Sequence, residues 1–305
     1  ALYPELGADN VLVTNGSSEA NFVACQTILE PGDEVVMMVP NYMQIWGVAE
    51  AMGAHPVAFH LREDIGWKPD LDELRRVVTD RTRMIAICNP SNPTGYTLTA
   101  EEMAEIAAIA DGVGAWIHAD EVYRGAELDG IETPSFSGLA EKVMVNGGLS
   151  KAYALPGLRL GWLAGPAATI ANAWAYHDYT SITAGILSHR IGEIALSPEV
   201  RPTILERNRA MLRTNLDHTV DWVEKLSPHL RFTPPKAGGM AFMRYDWDIN
   251  SSELAEWLRT SCSVFILAGD CFGMDSFFRI GLGAESDHFR RGLGRLRAAL
   301  VERFG

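Results

Sequence analysis

Several short polar stretches in this 305-residue chain carry side chains suited to chemistry on a small anionic ligand. Gly16-Ser17-Ser18 joins a tight-turn glycine to two hydroxyls where a helix is expected to start. Exposed amides and the positive end of a helix dipole suit a phosphate there, although an ordinary serine N-cap reads the same way. Lys151 lies in a Gly/Ser-flanked turn, Asn146-Gly147-Gly148-Leu149-Ser150-Lys151. Taken alone it is a surface charge; beside a carbonyl ligand a lysine amine forms an imine. Arg159 stands eight residues later at the mouth of an apolar run, where an anion would justify it. Asp120 ends another apolar run, and a buried carboxylate needs a cationic or protonated partner unless it caps a helix. Tyr42 is an aromatic on a polar loop, where core packing is the simplest account. Arg279 interrupts Phe277-Phe278-Arg279-Ile280-Gly281, and burying it there is costly without an anion or a salt-bridge partner.

The elements that must position these groups are visible as apolar runs separated by helical patterns. Strands are expected at 11–14, 34–39, 84–88, 115–119, 142–145 and 159–164. Nearly continuous apolar strands alternating with helices predict a mostly parallel sheet buried on both faces. Ligands in such sheets sit beyond the carboxyl ends of the strands. The polar residues that follow five of these strands are therefore expected to converge on one crevice. Ser17 and Ser18 open a helix over 19–29, and Gly32 is expected to close it. Thr99 with Glu102 forms a capping box before a second helix. After about residue 195 the texture changes to a long helix over 198–226, strand-like runs within 230–245 and at 277–281, and helices at 253–260 and 287–304. The expected division is a large domain at 1–195 and a smaller α+β domain at 196–305.

Composition narrows the function classes. The formal net charge of −13 disfavours binding to nucleic acid or to an anionic membrane surface, both of which rest on cationic contacts. With 47% hydrophobic and 21% charged residues, the chain has the mix of a globular protein with a large core. No apolar run approaches the ~18 residues of a membrane span, and the start lacks the pattern of a secretory signal. Four cysteines without a C-x-x-C pair read as reduced thiols of a cytoplasmic protein. No metal site is expected. The chain reaches a strand and a helix almost at once, so it reads as beginning inside a fold.

Ser150-Lys151-Ala152-Tyr153-Ala154-Leu155-Pro156-Gly157-Leu158-Arg159-Leu160-Gly161-Trp162, with Asn92-Pro93-Thr94-Gly95 and Asp120-Glu121-Val122-Tyr123, closely resembles the class I/II aminotransferases. These are fold-type-I enzymes that use pyridoxal 5'-phosphate (PLP), and the resemblance runs from residue 10 to about 300. It implies an α/β fold with a large PLP-binding domain, a smaller C-terminal domain, and a missing N-terminal arm. It implies that Lys151 forms the Schiff base and then carries protons. Asp120 would pair with the pyridine nitrogen and keep the ring an electron sink. Tyr123 and Asn92 would hydrogen-bond the ring's phenolic oxygen, and Tyr42 would stack on its face. Gly16, Ser17, Ser18, Ser150 and Arg159 would hold the phosphate, Arg159 as a forked donor. Arg279, with Asn92, would bind the substrate, Arg279 gripping the α-carboxylate. Many relatives carry Ser or Thr where this chain has Gly148, so one phosphate hydroxyl is expected to be lost.

The leading functional reading is transamination between an amino acid and a 2-oxo acid. The same cofactor site also serves elimination, cyclisation or oxidation in secondary metabolism, because those reactions also begin with removal of the α-proton. A sensor domain that binds PLP without turnover is a third reading. The resemblance further implies a homodimer with shared active sites. The stretch Tyr176-His177-Asp178-Tyr179-Thr180-Ser181 would then approach the partner's site, or else form a turn within one subunit.

Overall fold

Apolar runs with no polar face can be satisfied only by burial on both sides, and that is how this chain uses them. The computed structural model describes residues 2–305. Strands β1 (Val11–Thr14), β2 (Glu34–Val39), β3 (His55–Arg62), β4 (Lys68–Pro69), β5 (Thr82–Cys88), β6 (Trp116–Asp120), β7 (Val143–Gly148) and β8 (Gly161–Ala164) form one sheet. Their order is β1-β8-β7-β6-β5-β2-β3-β4. Pairing is parallel from β7 through β6, β5 and β2 to β3. β8 runs antiparallel to both of its neighbours, β1 and β7, and β4 is antiparallel to β3. The expected mostly parallel α/β sheet is therefore present.

Helices α1 (Ser17–Ile28), α2 (Gln44–Ala51), α3 (Leu71–Val77), α4 (Ala100–Val113), α5 (Ala167–His177) and α6 (Ile186–Ala195) follow strands of this sheet. Side chains along each strand point alternately to opposite faces, so one strand feeds two cores. Val36 and Met38 of β2 join Ile85 and Ile117 against Met103 and Ile106 of α4. Val35 and Met37 join Met84 and Leu163 against Ala20 and Val23 of α1 and Ile170 of α5. On β6, Ile117 and Ala119 face the α4 side. His118 and Asp120 therefore face α1.

The remaining chain forms α7 (Arg201–Glu224), α8 (Ser251–Cys262) and α9 (Ser286–Phe304) around a second sheet. Its strands β9 (Leu230–Phe232), β10 (Met240–Tyr245), β11 (Leu267–Ala268) and β12 (Phe277–Gly281) are antiparallel, in the order β11-β12-β10-β9. A separate core of Leu212, Trp222, Met243, Leu258, Phe278 and Leu296 holds these elements together.

Some boundaries differ from expectation for identifiable reasons. The capping box forms: Thr99 Oγ1 accepts from Glu102 N and Glu102 Oε2 accepts from Thr99 N. Gly32 does not close α1, which ends at Ile28; instead it makes the later turn into β2, at φ +92°. β3 was not anticipated because Pro56 and a half-exposed pattern disguise it, and both are tolerated near a sheet edge. β7 runs on through Gly147 and Gly148. A β-carbon at Gly147 would lie 2.6 Å from the Trp162 ring, so the missing side chain is what lets β8 pack there.

A close backbone approach beside the turn into α1 is at Gly161, the first residue of β8. A β-carbon there would sit 2.5 Å from Ser17 N and 2.6 Å from Gly16 C, both rigid backbone atoms. Gly161→Ala should therefore cost about 1–3 kcal/mol of stability. Gly157→Ala, where a β-carbon meets nothing within 4 Å, should change stability by less than about 0.5 kcal/mol. Chemical denaturation of both variants checks this; equal losses would remove the backbone contact as the cause.

Candidate active site

Strand direction assembles the site. β1, β2, β5, β6 and β7 all end at one edge of the sheet, and β8, running the other way, begins there. Loops from five strand ends and the residue before a sixth strand are thereby brought together. Ser17, Ser18, Tyr42, Asn92, Asp120, Tyr123, Lys151 and Arg279 line one cavity of about 400 Å³. Gly16 precedes Ser17 in the chain, and the Arg159 guanidinium packs against Gly16 outside that lining. Ser150 lies instead on an adjoining cavity of about 340 Å³ that shares Tyr123, Lys151 and Arg279.

The turn into α1 makes one wall. Gly16 has φ +87°, which suits glycine alone, and no side-chain oxygen caps the helix there among the described residues. The amides of Ser17 and Ser18 are left for a ligand, while Glu19 N donates to Gly16 O. Arg159 supplies a cation to the same turn. It adopts a left-handed conformation (φ 48°, ψ 47°) before β8 begins. Its Nη2 would be 2.5 Å from any β-carbon at Gly16, so a side chain there would push the guanidinium aside. Arg159 Nη1 donates to Ser150 Oγ at 3.4 Å and to Pro156 O at 3.3 Å. At Gly148 a β-carbon would lie 3.2 Å from Leu160 O and 3.5 Å from Ser17 Cβ. Any side chain there must displace the Leu160 carbonyl slightly.

Asp120, at the end of β6, is buried. Burial pushes its carboxyl above the ordinary range, while donors and the nearby Lys151 pull it back down. Asn146 Nδ2 and Val122 N donate to Oδ1 at 3.1 Å each, and Asn21 Nδ2 donates to Oδ2 at 3.2 Å. Lys151 follows β7. Its Nζ lies 6.0 Å from the centre of the Tyr123 ring. Desolvation lowers its pKa, the Arg279 and Arg159 charges lower it further, and Asp120 works in the opposite direction. Burial raises the Tyr123 hydroxyl well above its usual value, and Arg279 acts against that rise.

Arg279 reaches the cavity from β12, in the second sheet. Its Nη1 donates to Asn92 Oδ1 at 2.7 Å, and its guanidinium lies 5.5 Å from the centre of the Phe272 ring. Its Nε is buried without a hydrogen-bond partner among the described residues. No carboxylate pairs with it there, so the anticipated salt-bridge alternative is not what the structure shows. A half-buried guanidinium with no carboxylate partner among the described residues, beside an open cavity, suits an anionic ligand.

The donor set fits PLP. An anion-binding turn, a buried carboxylate able to hold a protonated ring nitrogen, and an amine of lowered pKa share one cavity. Reading the sequence missed Asn21, Gln44, His118 and Asn146, which surround Asp120. The one available signal was His118, a polar residue two positions before Asp120 in an otherwise apolar strand. No group of three or more metal-ligating side chains occurs among the described residues.

Arg279→Gln removes a like charge near Lys151, so the charged amine becomes easier to form and its pKa should rise. Reductive methylation of Lys151 in the cofactor-free protein, followed by peptide mass spectrometry across pH, reads that midpoint. A midpoint that stays put or falls would show that Arg279 does not act on Lys151.

Residues 3–296 match the family described as aminotransferase class I and II. Capreomycidine synthase of Streptomyces vinaceus is 31% identical over 298 residues, which cover 97% of this chain and 74% of that protein. Arginine–pyruvate transaminase of Pseudomonas aeruginosa is 29% identical over 310 residues, covering 98% and 76% of the two chains. The crystal structure of a PLP-dependent aminotransferase from Streptococcus suis superposes with a TM-score of 0.92 at 32% identity, covering 99% of this chain and 79% of that one. A match over nearly the whole chain, on a fold shared with a PLP enzyme, makes this protein a PLP-dependent member of the class I and II aminotransferases.

Proposed function

We propose that Lys151 is the proton carrier of a transamination between an amino acid and a 2-oxo acid, with Asp120 and Arg279 setting the geometry. The observation that carries this is the shared cavity: an amine of lowered pKa, a buried carboxylate and an unpaired guanidinium face the same space. PLP, when bound, supplies an electron sink for the charge left on the substrate α-carbon. Gly16, Ser17, Ser18, Ser150 and Arg159 hold its phosphate, through main-chain amides, hydroxyls and a forked cation. Asp120 holds a proton on the ring nitrogen. Asn92 and Tyr123 bind the ring's phenolic oxygen, and Tyr42 covers the ring face. Arg279 binds the substrate α-carboxylate, with Asn92 orienting the guanidinium. That grip fixes the α-carbon so that its proton is presented to Lys151 Nζ. Lys151 Nζ takes the proton there and holds it for return, acting as both base and acid.

The division into 1–195 and 196–305 is part of this reading. The first segment carries the cofactor groups, and the second brings Arg279 on its own sheet and core. We also place the enzyme in the cytoplasm as a homodimer. All four cysteines are free, and no helix among the described residues is long and apolar enough to cross a membrane. Trp174, Tyr179, Ile186, Leu187 and Ile194 leave a band of exposed apolar side chains, with Tyr179 89% and Leu187 76% exposed. Such a band marks an interface. It adjoins the cofactor groups, because Thr180 Oγ1 and Ser181 Oγ donate to Glu19 at the start of α1.

The test incubates purified protein with PLP, candidate amino acids and a 2-oxo acid. Formation of a new amino acid supports the reading; release of ammonia or peroxide instead would overturn it. Lys151→Ala should lose turnover by several orders of magnitude, and an active variant would refute the role of Lys151. Arg279→Lys keeps the charge but loses the planar fork. Losing one charged hydrogen bond costs roughly 1.5–3 kcal/mol, or about 10- to 150-fold in kcat/KM, with PLP affinity unchanged. Loss of PLP with unaltered substrate affinity would assign Arg279 to the wrong ligand.

The interface is tested with Leu187→Asp and Ile194→Asp. Sedimentation should show dissociation to monomers with reduced activity. A parent protein that is itself monomeric and fully active would exclude the homodimer.

A further inference from the structure

We infer that Asn21, oriented by His118, is a positioning residue that keeps Asp120 ionised and ties it to the turn at the start of α1. The inference rests on Asp120 facing the cofactor, as proposed above.

The hydrogen bonds around Asn21 allow only one set of donors and acceptors. Asn21 Nδ2 lies 3.2 Å from Asp120 Oδ2 and 3.2 Å from Gln44 Oε1. An ionised carboxylate only accepts, so the face of Asn21 toward Asp120 must be its NH₂. The orientation of Gln44 is fixed independently: its Nε2 donates to the carbonyl of Ser18 at 2.7 Å, and a carbonyl also only accepts. Gln44 Oε1 is thereby turned toward Asn21. Both hydrogens of the Asn21 amide are then used, and its Oδ1 faces His118 Nε2 at 2.8 Å. The proton on His118 must therefore be on Nε2. The network runs in one direction, from His118 to Asn21, from Asn21 to Asp120 and Gln44, and from Gln44 to Ser18.

Burial and charge agree with that assignment. Asn21 is 2% exposed and His118 is fully buried. Burial lowers the His118 pKa to about 4, so the ring is neutral at ordinary pH and acts as a dipole rather than a counter-charge. That matters because a cation at His118 would compete with the ring nitrogen for Asp120. A neutral donor relay steadies the carboxylate without offering it a rival partner. Asp120 keeps its two remaining donors, Asn146 and Val122, on the other oxygen, so Asn21 is what holds Oδ2. A carboxylate with one oxygen undersupplied binds a proton more readily.

Removing the His118 N–H leaves Asn21 Oδ1 without a donor and frees the amide to turn its oxygen against Asp120. His118→Phe keeps the ring volume and removes that donor. His118→Gln places an amide N–H close to where the Nε2–H stood. Asn21→Leu removes the relay from its other end and serves if His118→Phe fails to fold. Each variant is compared with Asp120→Asn for four quantities: PLP affinity by titration of the cofactor-free protein, kcat, substrate KM and melting temperature.

The expected result is PLP binding about 10-fold weaker and kcat down roughly 10- to 100-fold in His118→Phe and Asn21→Leu. KM should stay within about 2-fold of the parent value, because the α-carboxylate grip lies on another sheet, and His118→Gln should restore both losses. The inference is overturned if Asp120→Asn is strongly impaired while His118→Phe or Asn21→Leu changes only the melting temperature, or if His118→Gln is as impaired as His118→Phe. If Asp120→Asn itself leaves PLP affinity and kcat unaltered, the reading of Asp120 fails first, and the relay with it.

Discussion

The site depends on keeping one carboxylate charged where water cannot reach it. Asp120 ends a strand that is buried on both faces, so it is taken out of solvent by the same packing that makes the sheet stable. A lone carboxylate in that place would take up a proton. Three protein donors and a nearby amine hold it toward the ionised form. The positions of α1, β7 and the Lys151 turn follow from supplying those partners. The groups around Asp120 interlock through these donors, while His118 Nδ1 and Asn146 Oδ1 remain without a hydrogen-bond partner among the described residues.

A second constraint is steric. The turn after β1 and the first residue of β8 leave no room for a β-carbon at Gly161, and at Gly16 a positive φ and the Arg159 guanidinium both favour glycine. Chain entropy is lost at these glycines on folding, and close packing of main chain on main chain offsets it. Preorganisation follows: the turn after β1 is flanked by the Arg159 guanidinium on one side and by the backbone of β8 on the other.

Much of this was legible in the sequence because the signals are local. Unbroken apolar strands announce a sheet covered on both faces, and the polar residues after them announce a crevice. The run from Ser150 to Trp162, with Asn92-Pro93-Thr94-Gly95 and Asp120-Glu121-Val122-Tyr123, carries the family. β3, next to the edge strand β4, was hidden because half-exposed positions and Pro56 erase its pattern. The partners of Asp120 were hidden for a different reason: Asn21 and Gln44 lie on two helices and His118 on a strand, and only the tertiary fold brings them together. Gly32 was misplaced because a positive-φ glycine serves a turn as readily as a helix end. The pairing of Arg279 with Asn92, 187 residues apart, has no local signature.

The reversed strand β8 also sets the order in which the molecule can be assembled. β1 pairs with β8 alone, through Val11–Thr14 against Gly161–Ala164, a separation of about 150 residues. Closing a loop of that length precedes any gain from the pairing, which makes such contacts slow to form. On the ribosome, β1 is made about 150 residues before β8, the strand it pairs with among the described residues. The phosphate-sized turn sits directly after β1. The cavity wall formed by that turn is thus among the last parts of the large sheet to close, and β1 carries an unpaired strand edge until then.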